Sequence, residues 1–70
     1  MSERKRKHKE YVFVRAYQKK YGYTDKVIGE LLGCSARTYN DKVLGWSEFN
    51  KLEKRELSKL FGVSEDVLFS

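Results

Sequence analysis

The sequence predicts an all-α fold, a compact five-helix bundle containing a helix-turn-helix, and three observations carry that expectation. Apolar residues recur at i, i+3 and i+4 spacing in several separate stretches. Glycines close these stretches, and Ser, Thr or Asn stands where the next one begins. No proline interrupts any of them.

The stretch from Thr24 to Gly45 organises the rest. Val27, Ile28, Leu31 and Leu32 repeat as one face of an amphipathic helix, and Thr24 in front of them can accept an orphan backbone N–H as N-cap. Gly33 ends that helix, because glycine takes up the left-handed conformation of a C-cap without steric cost, and Ser35 can cap the next. Two helices joined this tightly cross steeply, as in a helix-turn-helix. Gly29 is expected where the two helices approach most closely, and Cys34 in the turn is expected to face the same interior as a small hydrophobe.

The first helix is expected from Glu10 to Tyr21. Phe13, Val14, Tyr17 and Tyr21 share one face, with Arg15, Gln18, Lys19 and Lys20 on the other, and Gly22 ends it. The tyrosines read as a core stripe with their hydroxyls reaching the surface, in preference to a base-stacking platform. Tyr23 is placed to pack as a staple against the helix it introduces.

The third helix, Ala36 to about Val43, is where readout of a partner would lie. Tyr39 and Val43, four residues apart, anchor it inward and leave Ala36, Arg37, Thr38, Asn40, Asp41 and Lys42 more exposed. Those side chains suit a DNA groove. Arg37 matches guanine O6 and N7, Asn40 matches adenine, Ala36 and Thr38 match a thymine methyl, and Lys42 matches phosphate. Asp41 repels phosphate unless it accepts from cytosine or pairs with a basic side chain. A polar face with no nucleic-acid duty is the competing reading.

Gly45 closes this helix, and Trp46 and Phe49 in the following loop are expected to pack into the core. Asn50 and Glu53 form a capping box at the start of a fourth helix, with Leu52, Leu57, Leu60 and Phe61 as its buried stripe and Lys51, Lys54, Arg55 and Lys59 outward. Gly62 is its C-cap. Ser64 opens a last short helix, with Glu65 and Asp66 near its positive end and Val67, Leu68 and Phe69 folding back.

The net charge of +5 is unevenly spread. Residues 1 to 9 hold five Lys or Arg (Arg4, Lys5, Arg6, Lys7, Lys9) against Glu3, or +4, so residues 10 to 70 carry only +1. The expected organisation is a disordered basic arm, 1–9, and a single domain, 10–70. Such an arm is either a solubilising tail or a contact to phosphates or a minor groove. His8 has no second ligand nearby. One cysteine allows no internal disulfide and suits a reducing compartment, hence the cytoplasm. No apolar run approaches the roughly 20 residues of a membrane helix, so no membrane association is expected. No Ser-His-Asp or Cys-His pairing, glycine-rich phosphate loop or metal-ligand spacing is present, so neither an enzyme nor a cofactor is expected.

Residues 11 to 70 resemble the Cro and lambda-repressor class of helix-turn-helix proteins, also called the Xre family. The resemblance rests on Gly29, the Gly33-Cys34-Ser35 turn, the Ser35-Ala36-Arg37-Thr38-Tyr39 run, Gly45, and the ending from Leu60 to Phe69. It implies a lambda-repressor-like fold of five helices and readers at Ala36, Arg37, Thr38 and Asn40. The family's common glutamine at the start of the second helix is replaced by Asp25, which with Lys26 completes the candidate DNA- or partner-binding set. It also implies a small regulator of a phage lysogeny switch, of one of two kinds. One is a Cro-like repressor, a homodimer on double-stranded DNA with reading helices about 34 Å apart. The other is an antirepressor that binds the partner repressor protein and covers its DNA-reading surface. The arm, Arg37 and Asn40 favour the first, while the near-neutral body, Asp25 and Asp41 favour the second.

Overall fold

Capping chemistry local to the sequence sets most helix boundaries. In a computed structural model, which describes residues 5–70, five helices follow one another: α1 Val12–Tyr21, α2 Asp25–Leu32, α3 Ala36–Leu44, α4 Lys51–Phe61 and α5 Glu65–Leu68. No strand occurs among the described residues. The side chains of Thr24, Ser35, Asn50 and Ser64 each accept the backbone N–H three residues on. The Asn50/Glu53 pair closes in both directions as a capping box. α1 begins at Val12, two residues later than Glu10, and Tyr11 before it makes no side-chain cap.

Val14, Ile28, Tyr39, Val43, Leu57 and Leu68 are fully buried and form the core with Phe49 and Phe61. α2 packs on α3, α4 on α5, and α1 touches α3, α4 and α5. Tyr17, Tyr21 and Tyr23 gather round Phe61 of α4. Tyr23 therefore lies against α4 as well as introducing α2. No helix among the described residues is long and apolar enough to cross a membrane.

The buried faces are rotated from those expected in three helices. α2 turns Ile28 and Gly29 inward, so Val27 and Leu31 are about half exposed. α4 turns Glu53, Leu57 and Phe61 inward, and Leu52, expected in the stripe, is 68% exposed. α1 buries Val14 and Gln18, whereas Phe13 and Tyr21 stay largely exposed. Adjacent helical residues point about 100° apart, so at Phe13–Val14 and Val27–Ile28, where both neighbours are apolar, periodicity leaves the choice between them to the surrounding helices, whereas Gln18 and Glu53 are drawn inward by polar partners on α3.

Gly29 is buried against the turn, not the body of α3. A Cβ there would lie 2.8 Å from the Cys34 carbonyl oxygen and 3.1 Å from the Ser35 carbonyl group. The absent side chain is what lets the chain double back so tightly. Cys34 is a half-buried free thiol beside the core.

Candidate nucleic-acid interface

A polar network ties α1, α2 and α3 together beneath the candidate surface. Gln18, assigned to the solvent face by periodicity, is instead only 6% exposed. Its Nε2 donates to Asp25 Oδ1 at 2.6 Å, and its Oε1 accepts from the Tyr39 hydroxyl at 2.8 Å and from Arg15 Nη1 at 3.0 Å. The amide orientation is forced, since a carboxylate only accepts and a guanidinium only donates. Arg15 Nη1 also meets Asp25 Oδ1 at 2.8 Å, and Nη2 donates to Asn40 Oδ1 at 2.6 Å. The Asp25 charge at the start of α2 is thus met by a guanidinium in addition to the helix dipole. Burial pushes the Tyr39 hydroxyl pKa well up; the Arg15 charge opposes that rise and the Asp25 charge adds to it. Every buried side-chain polar atom among the described residues has a partner.

On α3, the residues expected to face outward divide into two groups. Arg37 and Thr38 are exposed, Ala36 is half-buried at the first turn, and Lys26 is exposed on α2. The Thr38 hydroxyl accepts from Ser35 Oγ at 2.9 Å, and Arg37 makes no ion pair among the described residues. The remaining three are partly withdrawn. Asn40 gives its oxygen to Arg15, which leaves its amide N–H groups as the part able to address a partner. Asp41 is half-buried, and its backbone carbonyl accepts the N–H groups of Gly45 and Trp46.

Lys42, expected outward and matched to phosphate, is instead partly withdrawn and paired within the chain. Its Nζ lies 2.8 and 2.7 Å from the two Glu53 oxygens, with side chains only 16% and 10% exposed. Glu53 also accepts the Asn50 N–H at 2.9 Å, so one carboxylate caps α4 and fastens α3 to it. The signal is present in part, because Glu53 is legible as a capping residue; that Lys42 supplies its counter-charge is not.

Of the arm, Arg4 lies outside the described residues. Lys5, Arg6, Lys7 and Lys9 are exposed, but the chain that carries them is not detached from the bundle. The Lys7 N–H donates to the Gly45 carbonyl at 2.7 Å. The His8 ring stacks on Tyr11 with centroids 4.1 Å apart, and its Nε2 lies 2.8 Å from the Ser47 carbonyl. The Arg6 guanidinium sits over the Trp46 ring, 5.1 Å from its centroid. The expectation of disorder follows from the arm having no apolar residue of its own after Met1, but Tyr11 and Trp46 supply the packing partners from outside it.

The residues sequence reasoning missed are Arg15 and Gln18. Gln18 follows the buried Val14 by four and so shares its face of α1, but its polarity gives no sign of burial without the partners that α2 and α3 bring. No family model, curated protein or solved structure matches the chain.

Proposed function

We propose that this protein is a small transcriptional regulator of a phage-type lysogeny switch, binding operator DNA in the host cytoplasm through a helix-turn-helix formed by α2 and α3. The observation that carries this reading is the first turn of α3. Ser35 caps it, Tyr39 and Val43 anchor it from behind, and Arg37 and Thr38 stand exposed at its front. In a major groove, Arg37 donates two parallel hydrogen bonds to guanine O6 and N7, the methyl groups of Ala36 and Thr38 contact thymine, and the Asn40 amide donates to a base or phosphate oxygen. Lys26 and the arm supply phosphate contacts, which position the helix without reading sequence. The network through Arg15 holds α3 in fixed orientation against α1 and α2, so little ordering remains to be done on binding. Binding as a homodimer fits the half-site geometry of such regulators.

A second reading, an antirepressor that binds a repressor protein, draws support from one specific observation. Asp25 and Lys42, two charges on the candidate surface, are already satisfied within the chain, which leaves a surface of low net charge. The deciding experiment is selection from a random duplex library followed by gel shift. DNA reading expects an enriched site and an Arg37→Ala variant bound about 5- to 150-fold more weakly, the equivalent of about 1–3 kcal/mol. No enriched site, together with co-elution of the protein with a DNA-binding repressor from the same genome, transfers the function to the antirepressor reading.

A further inference from the structure

We propose that residues 5–9, already folded onto the loop between α3 and α4, form a cationic shoulder that grips the DNA backbone beside the C-terminal end of α3. This inference rests on the reading that α3 enters DNA, and it deepens that reading by making the basic segment a fixed part of the interface instead of a tail that orders on contact.

The segment is held mainly by groups other than its cations, with Arg6 over Trp46 as the exception. The backbone N–H of Lys7 donates to Gly45, and the His8 imidazole is stacked on Tyr11 with Nε2 at the Ser47 carbonyl. Gly45 is shaped for this docking. Its φ is +105°, and a Cβ on it would collide with the His8 carbonyl. The charges of Lys5, Lys7 and Lys9 are therefore free to face a partner, while the Arg6 guanidinium lies over the Trp46 ring with its residue still exposed. Lys5, Arg6, Lys7 and Lys9 are all exposed, and none forms an ion pair with a carboxylate among the described residues. Glu10 and Glu48 nearby form no ion pair with the segment either.

The placement fits a duplex. Arg37 and Gly45 are eight positions apart along α3 and its C-cap, about 12 Å along the helix axis at the rise of an α-helix. That distance exceeds the roughly 8.5 Å depth of the major groove, so a group at the far end of α3 can clear the groove and reach the phosphates at its rim. With Arg37 at the bases, the shoulder at the other end of α3 meets the sugar-phosphate rim. A cluster of four cations in five residues is complementary to a line of phosphates, and the near-neutral rest of the body offers no comparable concentration of charge. Because the segment is already docked, it binds without the entropy cost of folding on contact.

The test uses the full chain, a short mixed-sequence duplex and the emission of Trp46, the single tryptophan, which lies under Arg6. Affinity is measured across a salt series for the wild type and for a variant carrying Lys5→Gln, Arg6→Gln, Lys7→Gln and Lys9→Gln. The expected result is a log–log salt slope shallower by about 2 to 4 in the variant, at about 0.9 for each phosphate no longer neutralised, with Trp46 emission changing when duplex binds the wild type. In the free protein, Arg6→Ala is expected to shift Trp46 emission; an unchanged spectrum overturns the docking. Equal salt slopes in a wild type that does bind duplex overturn the shoulder and leave the role of α3 standing. Failure of the wild type to bind any duplex overturns both. Polyglutamate competing as well as the duplex overturns the commitment to DNA and marks an acidic protein surface as the partner.

Discussion

The guanidinium of Arg15 on α1 holds the side-chain oxygen of Asn40 on α3 at 2.6 Å, and its other terminal nitrogen reaches Asp25 at the start of α2 at 2.8 Å. One side chain thereby joins three helices at the edge of the surface that carries Arg37. Its Asp25 contact is partly solvated, with side chains 22% and 33% exposed, so its worth lies less in raw stability than in orientation.

Replacing Arg15 by Met is expected to lower stability by about 1 to 2 kcal/mol, the range for hydrogen bonds to a charged group discounted for solvent screening. Asp25 then keeps only the Gln18 amide. Adding Asp25→Asn is expected to recover part of the loss, because the lone carboxylate is no longer left beside the buried amide. Urea unfolding of the single and double variants measures this, and a double variant no more stable than Arg15→Met shows that the Asp25 charge was never the liability.

The Lys42–Glu53 pair predicts a larger effect. It is more deeply placed, and Lys42→Met strands a carboxylate whose remaining partner is the Asn50 N–H. Breaking a buried pair by removing one member costs about 3 to 5 kcal/mol; the residual exposure of Lys42 brings the expectation to about 2 to 4 kcal/mol. Glu53→Gln in the same background is expected to restore part of it, since glutamine can still complete the capping box. Thermal unfolding of the two variants side by side checks the order. A Lys42→Met protein as stable as the wild type would free Lys42 for a role at the surface.

These two pairs also mark where the sequence stops being legible. Thr24, Ser35, Asn50 and Ser64 can be recognised as caps because each acts on an N–H three residues away, and Tyr39 and Val43 can be turned inward because they sit on one face of a short helix. Gln18 cannot be placed the same way. Its partner Tyr39 is 21 residues distant, and a polar side chain is buried only when such a partner arrives from another helix. Leu52 and Val27 fail for the converse reason: both are apolar, yet each is one position off the stripe that the neighbouring helices select. The Lys5–Lys9 segment depends on Gly45 and Trp46, some forty residues on, so composition alone makes it look unsupported. On α3 the exposure of Arg37 is legible from spacing, whereas the withdrawal of Asn40 and Lys42 depends on charges carried by α1 and α4.

Gly29→Ala tests the turn between α2 and α3. The added Cβ meets backbone at 2.8 and 3.1 Å, and a backbone carbonyl cannot swing aside as a side chain can. The helical preference of alanine over glycine offers up to about 1 kcal/mol in favour, while overpacking costs about 1 to 3 kcal/mol. A net loss of about 1 to 2 kcal/mol is expected, and the proposed DNA binding further expects a fall in duplex affinity beyond the loss of folded protein, because α3 is displaced. Calorimetry and gel shift on the same preparation separate the two. A stabilised Gly29→Ala protein would show that the turn has slack.

Tyr39 gives the fold an alkaline limit. Burial raises its hydroxyl pKa above the ordinary value of 10.0, so above that pH the unfolded chain releases a proton that the folded protein retains. The unfolded state then binds fewer protons than the native state, and stability must fall as pH rises. The contribution of the neutral hydroxyl is fully present below pH 10.0 and is lost progressively as the pH climbs from there towards the folded value, at up to about 1.4 kcal/mol per pH unit. Tyr39→Phe removes that dependence at the cost of the hydrogen bond to Gln18 Oε1, which Arg15 still satisfies, so its loss at neutral pH is about 0.5 to 1.5 kcal/mol. The two proteins are therefore expected to converge in stability as urea unfolding is repeated from about pH 8 to about pH 11. Parallel curves would mean that the Tyr39 hydroxyl ionises as readily in the folded chain as in the unfolded one, and that the network around Gln18 is open to water.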